Sequence, residues 1–101
     1  MAEKPSESTV FDKEMGINHR DFFRILPKAL GTEDYERTGN RIRLENGDKI
    51  LEISLGPEGK RTIALMTLPV TRVNVRFTNY GEADLADALA RFDLYFRRGG
   101  G

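Results

Sequence analysis

Residues 41–55 read RIRLENGDKILEISL, and this stretch decides the fold. Arg41, Arg43 and Glu45 alternate with Ile42 and Leu44, the two-residue period of a half-buried strand. Asn46-Gly47 follows at once. That pair tolerates the positive φ angles of a two-residue hairpin turn. Beyond it, Leu51, Ile53 and Leu55 again share one side. The stretch therefore predicts an antiparallel hairpin with one apolar face.

Toward the C-terminus, Gly56-Pro57-Glu58-Gly59 reads as a second turn by composition. Residues 61–68 follow, with Ile63, Ala64, Leu65, Met66 and Leu68 nearly continuous. In 70–78, Val73, Val75 and Phe77 take one side and Arg72, Asn74 and Arg76 the other. Loops this short join antiparallel neighbours, so the four segments make a meander. Pro69 cannot donate to a ladder. It marks either a tight turn between two strands or a bulge in one long strand.

A helical pattern lies on each side of this β region. Over 18–30, Phe22, Ile25, Leu26, Ala29 and Leu30 form one apolar stripe. Asn18 suits the N-cap and Gly31 the stop. Pro27 lies inside the pattern and removes the hydrogen bond to the Phe23 carbonyl, which predicts a kink or a restart. Over 82–97, Leu85, Leu89, Phe92 and Phe96 repeat the stripe. Glu82 and Asp84 begin that segment and Arg97 ends it, as the helix dipole favours. Thr78 or Asn79 would cap it.

The resulting fold class is α+β, in the order α-β-β-β-β-α. A four-stranded antiparallel meander carries both helices on one face. Residues 1–16 are polar and aperiodic and read as a flexible tail, from which Val10, Phe11 and Met15 could dock. Residues 17–98 form one domain, and 99–101 a disordered Gly tail. The expected core is Phe22, Leu26, Leu51, Ile53, Ile63, Leu65, Val73, Val75, Leu85, Leu89 and Phe92.

Composition narrows the function. The 16 basic and 16 acidic residues cancel, against the basic excess of an obligate nucleic-acid binder. With no Cys there is no thiolate metal site and no cysteine nucleophile. No apolar run approaches the length of a membrane span, and the N-terminus has no signal-peptide core, so a cytoplasmic setting is expected. His19 stands alone at a helix start, where a solvated His is the ordinary case. Glu33, Asp34, Glu36, Asp84 and Asp87 sit in a loop or an early helical turn, not in the dry cleft that raises a catalytic carboxyl's pKa. Gly56-Pro57-Glu58-Gly59 spells G-x-x-G, yet it carries Pro and Glu where a backbone clamp is basic and joins helices. No metal, cofactor or catalytic set is expected.

Two features remain. From Gly59 to Gly81 the charged residues are Lys60, Arg61, Arg72 and Arg76, all basic. Arg72 and Arg76, with Arg41 and Arg43, would project from the open sheet face. The segment 62–68 is apolar on both sides, and a strand of that kind is ordinarily covered on both. With Ile63 and Leu65 turned toward the helices, Ala64, Met66 and Leu68 face outward. The expected partner surface is thus an apolar centre of Ala64, Met66 and Leu68 with a rim of Arg41, Arg43, Arg72 and Arg76.

This reads as a small non-enzymatic binding or accessory protein that acts on a protein partner, preferably an acidic one. The alternative is a nucleic-acid or anion-binding module, less favoured because no outward aromatic offers a stacking platform. The protein is expected as a monomer or weak homodimer, since like-charged Arg rims would oppose each other unless Glu45 and Glu52 interleave. An outward Met66 predicts that Met66→Asp weakens partner capture and leaves the thermal melt intact. Unfolding would place Met66 inside the chain.

Overall fold

Sheet and helices meet along one apolar seam. The computed structural model describes residues 8–100, with side chains through Arg97. They form strands β1 (Ser8–Met15), β2 (Glu36–Thr38), β3 (Arg41–Asn46), β4 (Lys49–Leu55), β5 (Gly59–Ile63) and β6 (Met66–Thr78). The helices are α1 (His19–Leu30) and α2 (Glu82–Gly100). The fold is α+β, with the helices on one face of an antiparallel sheet of order β1-β6-β4-β3-β2.

The 41–55 hairpin forms in the expected register. Arg41 faces Ser54, Ile42 faces Ile53 and Leu44 faces Leu51 across it, and Gly47 takes φ +62° at the turn. The antiparallel meander continues from β4 into β6, but its next reversal falls later than expected. No reversal occurs at Gly56-Pro57-Glu58. Leu55 pairs with Val73 and Gly59 pairs with Val70, so residues 56–58 lie opposite Thr71 and Arg72. One extra residue against an unbroken partner is a β-bulge. Strands β4 and β5 are therefore successive halves of one long arm of a hairpin, and β6 is the other arm. The chain reverses at Ala64-Leu65, the two residues between β5 and β6.

Pro69 lies inside β6, opposite Lys60. The Arg72 carbonyl accepts from Gly56 on the β4–β5 arm, and carbonyls alternate along a strand, so that of Val70 faces the same arm and that of Pro69 the opposite edge. The nitrogen of a strand residue points the same way as its carbonyl, so Pro69 interrupts only the free edge. Of the two readings of Pro69, one long strand holds, with the bulge on the opposite arm.

Residues 8–15, expected within a flexible tail, instead form an edge strand on β6, from Ser8 opposite Thr78 to Met15 opposite Thr71. Alternation explains this. Phe11 and Met15 turn inward and are half-buried, with Phe11 edge-on to Phe77 at 6.1 Å. Residues 1–7 of the expected tail lie outside the described residues.

Helix α1 runs unbroken through Pro27, whose carbonyl accepts from the amides of Gly31 and Thr32. Asn18 Oδ1 accepts from the Asp21 amide at 2.8 Å, as its N-cap role requires. Helix α2 begins at Glu82 as expected, but the residue before it, Gly81, takes the capping position in place of Thr78 or Asn79: the Leu85 amide bonds to the Gly81 carbonyl. Asn79 takes φ +64° and donates from Nδ2 to the Asp48 carbonyl. Gly99 and Gly100 continue the helical backbone rather than forming a separate tail. Propagating a formed helix needs only one more bond per residue. Gly101 lies outside the described residues.

The core is built from both helices and the inner sheet face. Phe22, Leu26, Leu51, Ile53, Val73, Val75 and Phe92 are buried as expected, joined by Ile17, Ile25, Ala29, Ile42, Leu55, Phe77 and Phe96. Phe22 stacks on Phe96 at 4.7 Å and clamps α1 to α2. Leu85 and Leu89 are half-buried against the cluster. Ile63 and Leu65 are not core: they are 55% and 101% exposed. Alternation across residues 63–65 fails because a turn interrupts it.

Among the described residues Thr71 is the buried polar exception, with its hydroxyl donating to the Ile17 carbonyl at 2.7 Å. This bond ties the β1–α1 junction to β6 where the long hairpin leaves the helices. Thr71→Val keeps the shape and strands a buried acceptor. It should cost about 1–3 kcal/mol in a denaturant melt.

Candidate interaction surface

Residues 59–70 form a two-stranded arm that extends past the helix layer. A 13-residue strand such as β6 spans roughly 43 Å at about 3.3 Å per residue. The sheet pairs its 71–78 half on both sides through β1 and β4, whereas 66–70 pairs with β5 alone.

The arm's base is held firmly. The Gly56 amide donates to the Arg72 carbonyl at 2.8 Å. Glu58 accepts from the His19 amide at 2.6 Å. His19 Nε2 meets the Gly56 carbonyl at 2.7 Å. A carboxylate at a helix N-terminus is favoured by the dipole and by unsatisfied amides. His19, expected to be solvated, is thus a half-buried pin between α1 and the bulge.

Beyond the pin the arm has two unlike faces. Paired residues of antiparallel strands share a side. Ile63 pairs with Met66, Arg61 with Leu68 and Gly59 with Val70 on one face. Lys60 pairs with Pro69 and Thr62 with Thr67 on the other. Apart from Arg61 the first face is apolar, and it is open to solvent: Met66 is 62% exposed and Leu68 37%. The tip adds Leu65. Ala64 takes φ +56° there, a left-handed backbone normally left to Gly.

The apolar face continues the open face of the sheet. Arg61 pairs with Glu14, which stands opposite Arg72 on the outer side of β1. Of the expected surface residues, Arg41, Arg43, Arg72 and Arg76 do lie on that open face. Met66 and Leu68 lie on the arm and Ala64 at its tip, not in the middle of a central strand. The apolar residues therefore stand at one end of the arginines rather than inside a ring of them.

The open face is not basic. Arg43 reaches Glu45 at 2.8 Å and Glu52 at 3.2 Å. The hydrogen bond to Glu45 holds its pKa above the ordinary guanidinium value. Arg72 reaches Asp12 at 3.2 Å. Arg76 stands opposite Glu52 in register, and Glu36 opposite Arg43. Arg41 and Arg76 make no ion pair within 4.0 Å among the described residues. Each cation thus has a carboxylate nearby except at Arg41, which faces Ser54.

The remaining titratable groups are spread over the body. Asp84 pairs with Lys49 at 3.3 Å and Asp21 with Arg24 at 3.5 Å. Burial raises the Tyr80 pKa, opposed by Lys49. Among the described residues no group of three or more His, Asp or Glu is placed to hold a metal ion. No described helix is long and apolar enough to cross a membrane.

Ile63 and Leu65 are the surface residues that sequence reasoning assigned to the core. A signal for them existed in Thr62-Ile63-Ala64-Leu65-Met66-Thr67, whose polar and apolar positions mirror each other about a two-residue centre. That symmetry marks a hairpin tip, but without Gly or Asn at the centre it escapes the usual turn chemistry.

The fold and its exposed arm define an α+β protein with a projecting β-ribbon. Comparison with family models, curated proteins and solved structures finds no match.

Ala64 supplies a direct test of the tip. Ala64→Gly removes the left-handed penalty and should stabilise the arm by about 0.5–1 kcal/mol, after offsetting the added unfolded-chain entropy. Slower amide exchange in residues 60–68 would register it. Faster exchange would mean that the Ala methyl supports the turn.

Proposed function

We propose that the protein is a non-enzymatic binding module whose contact element is the 59–70 arm with the adjoining open sheet face. Arm exposure carries this reading: Leu65 is fully exposed at the tip, with Ile63, Met66 and Leu68 exposed along one side. Burying side chains of this size is worth roughly 1.5–3 kcal/mol each, a gain the lone chain leaves unrealised. Apolar patches of this kind, bordered by charge, are typical of interaction sites. The arm is pinned at its base by Glu58 and His19, so it presents the patch at low ordering cost. The cytoplasmic setting expected from the sequence belongs to the same reading.

Protein is the favoured class of partner. The ion pairs of Arg43 and Arg72 weaken the case for nucleic acid or a small anion, because those cations already have counter-charges. They also move the favoured surface from a strictly acidic one toward one with an apolar centre and both signs at its rim. An acidic preference would rest on Arg41 and Arg76.

The test compares the full chain with Leu65→Asp as bait in native extract. Quantitative mass spectrometry should show specific partners falling about tenfold or more, equivalent to about 1.4 kcal/mol. The melt should move by no more than about 0.5 kcal/mol, as for other exposed substitutions. Equal capture by both baits would overturn the reading. Steeply salt-dependent binding of the purified chain to RNA or DNA would favour the nucleic-acid alternative.

A further inference from the structure

We propose that Asn46-Gly47 is a self-modifying site, at which the folded chain converts Asn46 to Asp and isoaspartate and thereby loosens the β3–β4 hairpin. The site is separate from the arm and does not depend on the binding reading.

The chemistry needs a side-chain amide free to turn, a following backbone amide free to attack, and no Cβ in the way. Five asparagines occur in the chain, and Asn46 alone precedes Gly. The nitrogen of a Gly can approach closely because the residue carries no Cβ. At Gly47 even an added Cβ would meet nothing within 4 Å, so the approach is open. Asn46 pairs with Lys49, which makes Gly47 and Asp48 the two loop residues. The Gly47 amide therefore lies outside the ladder, and among the described residues it donates to no backbone carbonyl. Asn46, Gly47 and Asp48 are all exposed.

The other asparagines are held. Asn18 accepts from the Asp21 amide, and the His19 amide that follows it donates to Glu58. Asn79 donates from Nδ2 to the Asp48 carbonyl. Asn74 lies between β1 and β4 and precedes the buried Val75. Asn40 precedes Arg41, the first residue of β3, and its carbonyl accepts from the Leu55 amide. The Asn46 side chain makes no hydrogen bond among the described residues, in contrast to those of Asn18 and Asn79. Its pair with Lys49 closes the ladder, and terminal pairs open most readily.

The step consumes one water and no other reactant. A base in solvent takes the Gly47 amide proton, and the nitrogen attacks Cγ of Asn46. The Cγ–Nδ2 bond breaks, and the side-chain nitrogen leaves with that proton as ammonia. Water then opens the five-membered imide. Attack at Cγ gives Asp, and attack at the backbone carbonyl gives isoaspartate, whose main chain runs through Cβ and Cγ.

Both products disturb the hairpin. Paired residues of antiparallel strands share a side, so the Asp product sets a carboxylate beside Lys49. Lys49 already reaches Asp84 at 3.3 Å, and the new charge competes with the contact that ties the hairpin to α2. Isoaspartate adds an atom to the main chain next to the two-residue loop that sets the register. Leu44 opposite Leu51 and Ile42 opposite Ile53 depend on that register.

The experiment holds the purified, folded full chain at mildly alkaline pH, with fresh protein digested in parallel. Chromatography and mass spectrometry follow the tryptic peptide 44–49. It should split into two products, each with the mass of an amide turned to an acid. Conversion should be no more than about tenfold slower than in the urea-unfolded chain, equivalent to about 1.4 kcal/mol of local opening. Peptides holding Asn18, Asn40, Asn74 and Asn79 should remain amides over the same time. Asn46→Gln should not convert, because its longer side chain closes the ring poorly. Aged wild-type protein should melt below fresh protein and below aged Asn46→Gln. Slower conversion than this overturns the proposal, because the hairpin then protects Asn46. Equal conversion at the other asparagines overturns it as well. Conversion with an unmoved melt overturns the loosening of the hairpin.

Discussion

Strand β6 is longer than the layer that covers it, and this mismatch governs the molecule. Its 71–78 half lies between β1 and β4 and sends Thr71, Val73, Val75 and Phe77 into the core. Its 66–70 half has one strand neighbour and is exposed from Met66 to Leu68. A 12-residue helix such as α1 extends only about 18 Å, well short of the strand it packs on. The bulge at 56–58 falls at this boundary, where the Glu58 carboxylate and the His19 ring and amide fasten the sheet to α1. The arm is therefore an extension of the core's best-paired strand, not a loosely attached loop. Its orientation is inherited from the sheet.

The elements with a regular period were legible in the sequence. The Asn46-Gly47 hairpin, the Phe22–Leu26–Ala29 stripe and the Leu85–Phe92–Phe96 stripe follow directly from spacing. So does the inward parity of Val73, Val75 and Phe77. What was illegible depended on the partner strand. Gly56-Pro57-Glu58 has the composition of a reversal, yet an extra residue opposite a continuous strand uses the same chemistry. Only the pairing of Leu55 with Val73 and Gly59 with Val70 separates the two. The edge strand at Ser8–Met15 was hidden for a related reason. In a strand with Asp12, Lys13 and Glu14 the inward Phe11 and Met15 are too sparse to show a period, and the free ladder on β6 completes its order.

The candidate surface was partly legible. Met66 and Leu68 were correctly read as outward, and the outward arginines followed from alternation. Their arrangement did not, because an exposed apolar run between a presumed turn and a Pro resembles a buried strand. Cross-strand neighbours decided the electrostatics as well. Lys60, Arg61, Arg72 and Arg76 are a basic run along the chain. Across the sheet, Arg61 meets Glu14 and Arg72 meets Asp12 from a strand some fifty to sixty residues away. Linear charge runs therefore overstate the basicity of a sheet whose neighbours come from the opposite end of the chain.

Pro69 has a consequence for growth rather than for fold. A projecting apolar ribbon with two unpaired edges is a template on which like ribbons add from either side, the geometry of a fibril. In this arm the edge of β6 is interrupted at Pro69, which offers no amide to an incoming strand, while Lys60 charges the outer strand. Addition along both edges is blocked on one side and disfavoured by repulsion on the other. The ribbon can thus present an apolar face to solvent without seeding indefinite strand-by-strand assembly, which directs any association to its face and toward a finite complex.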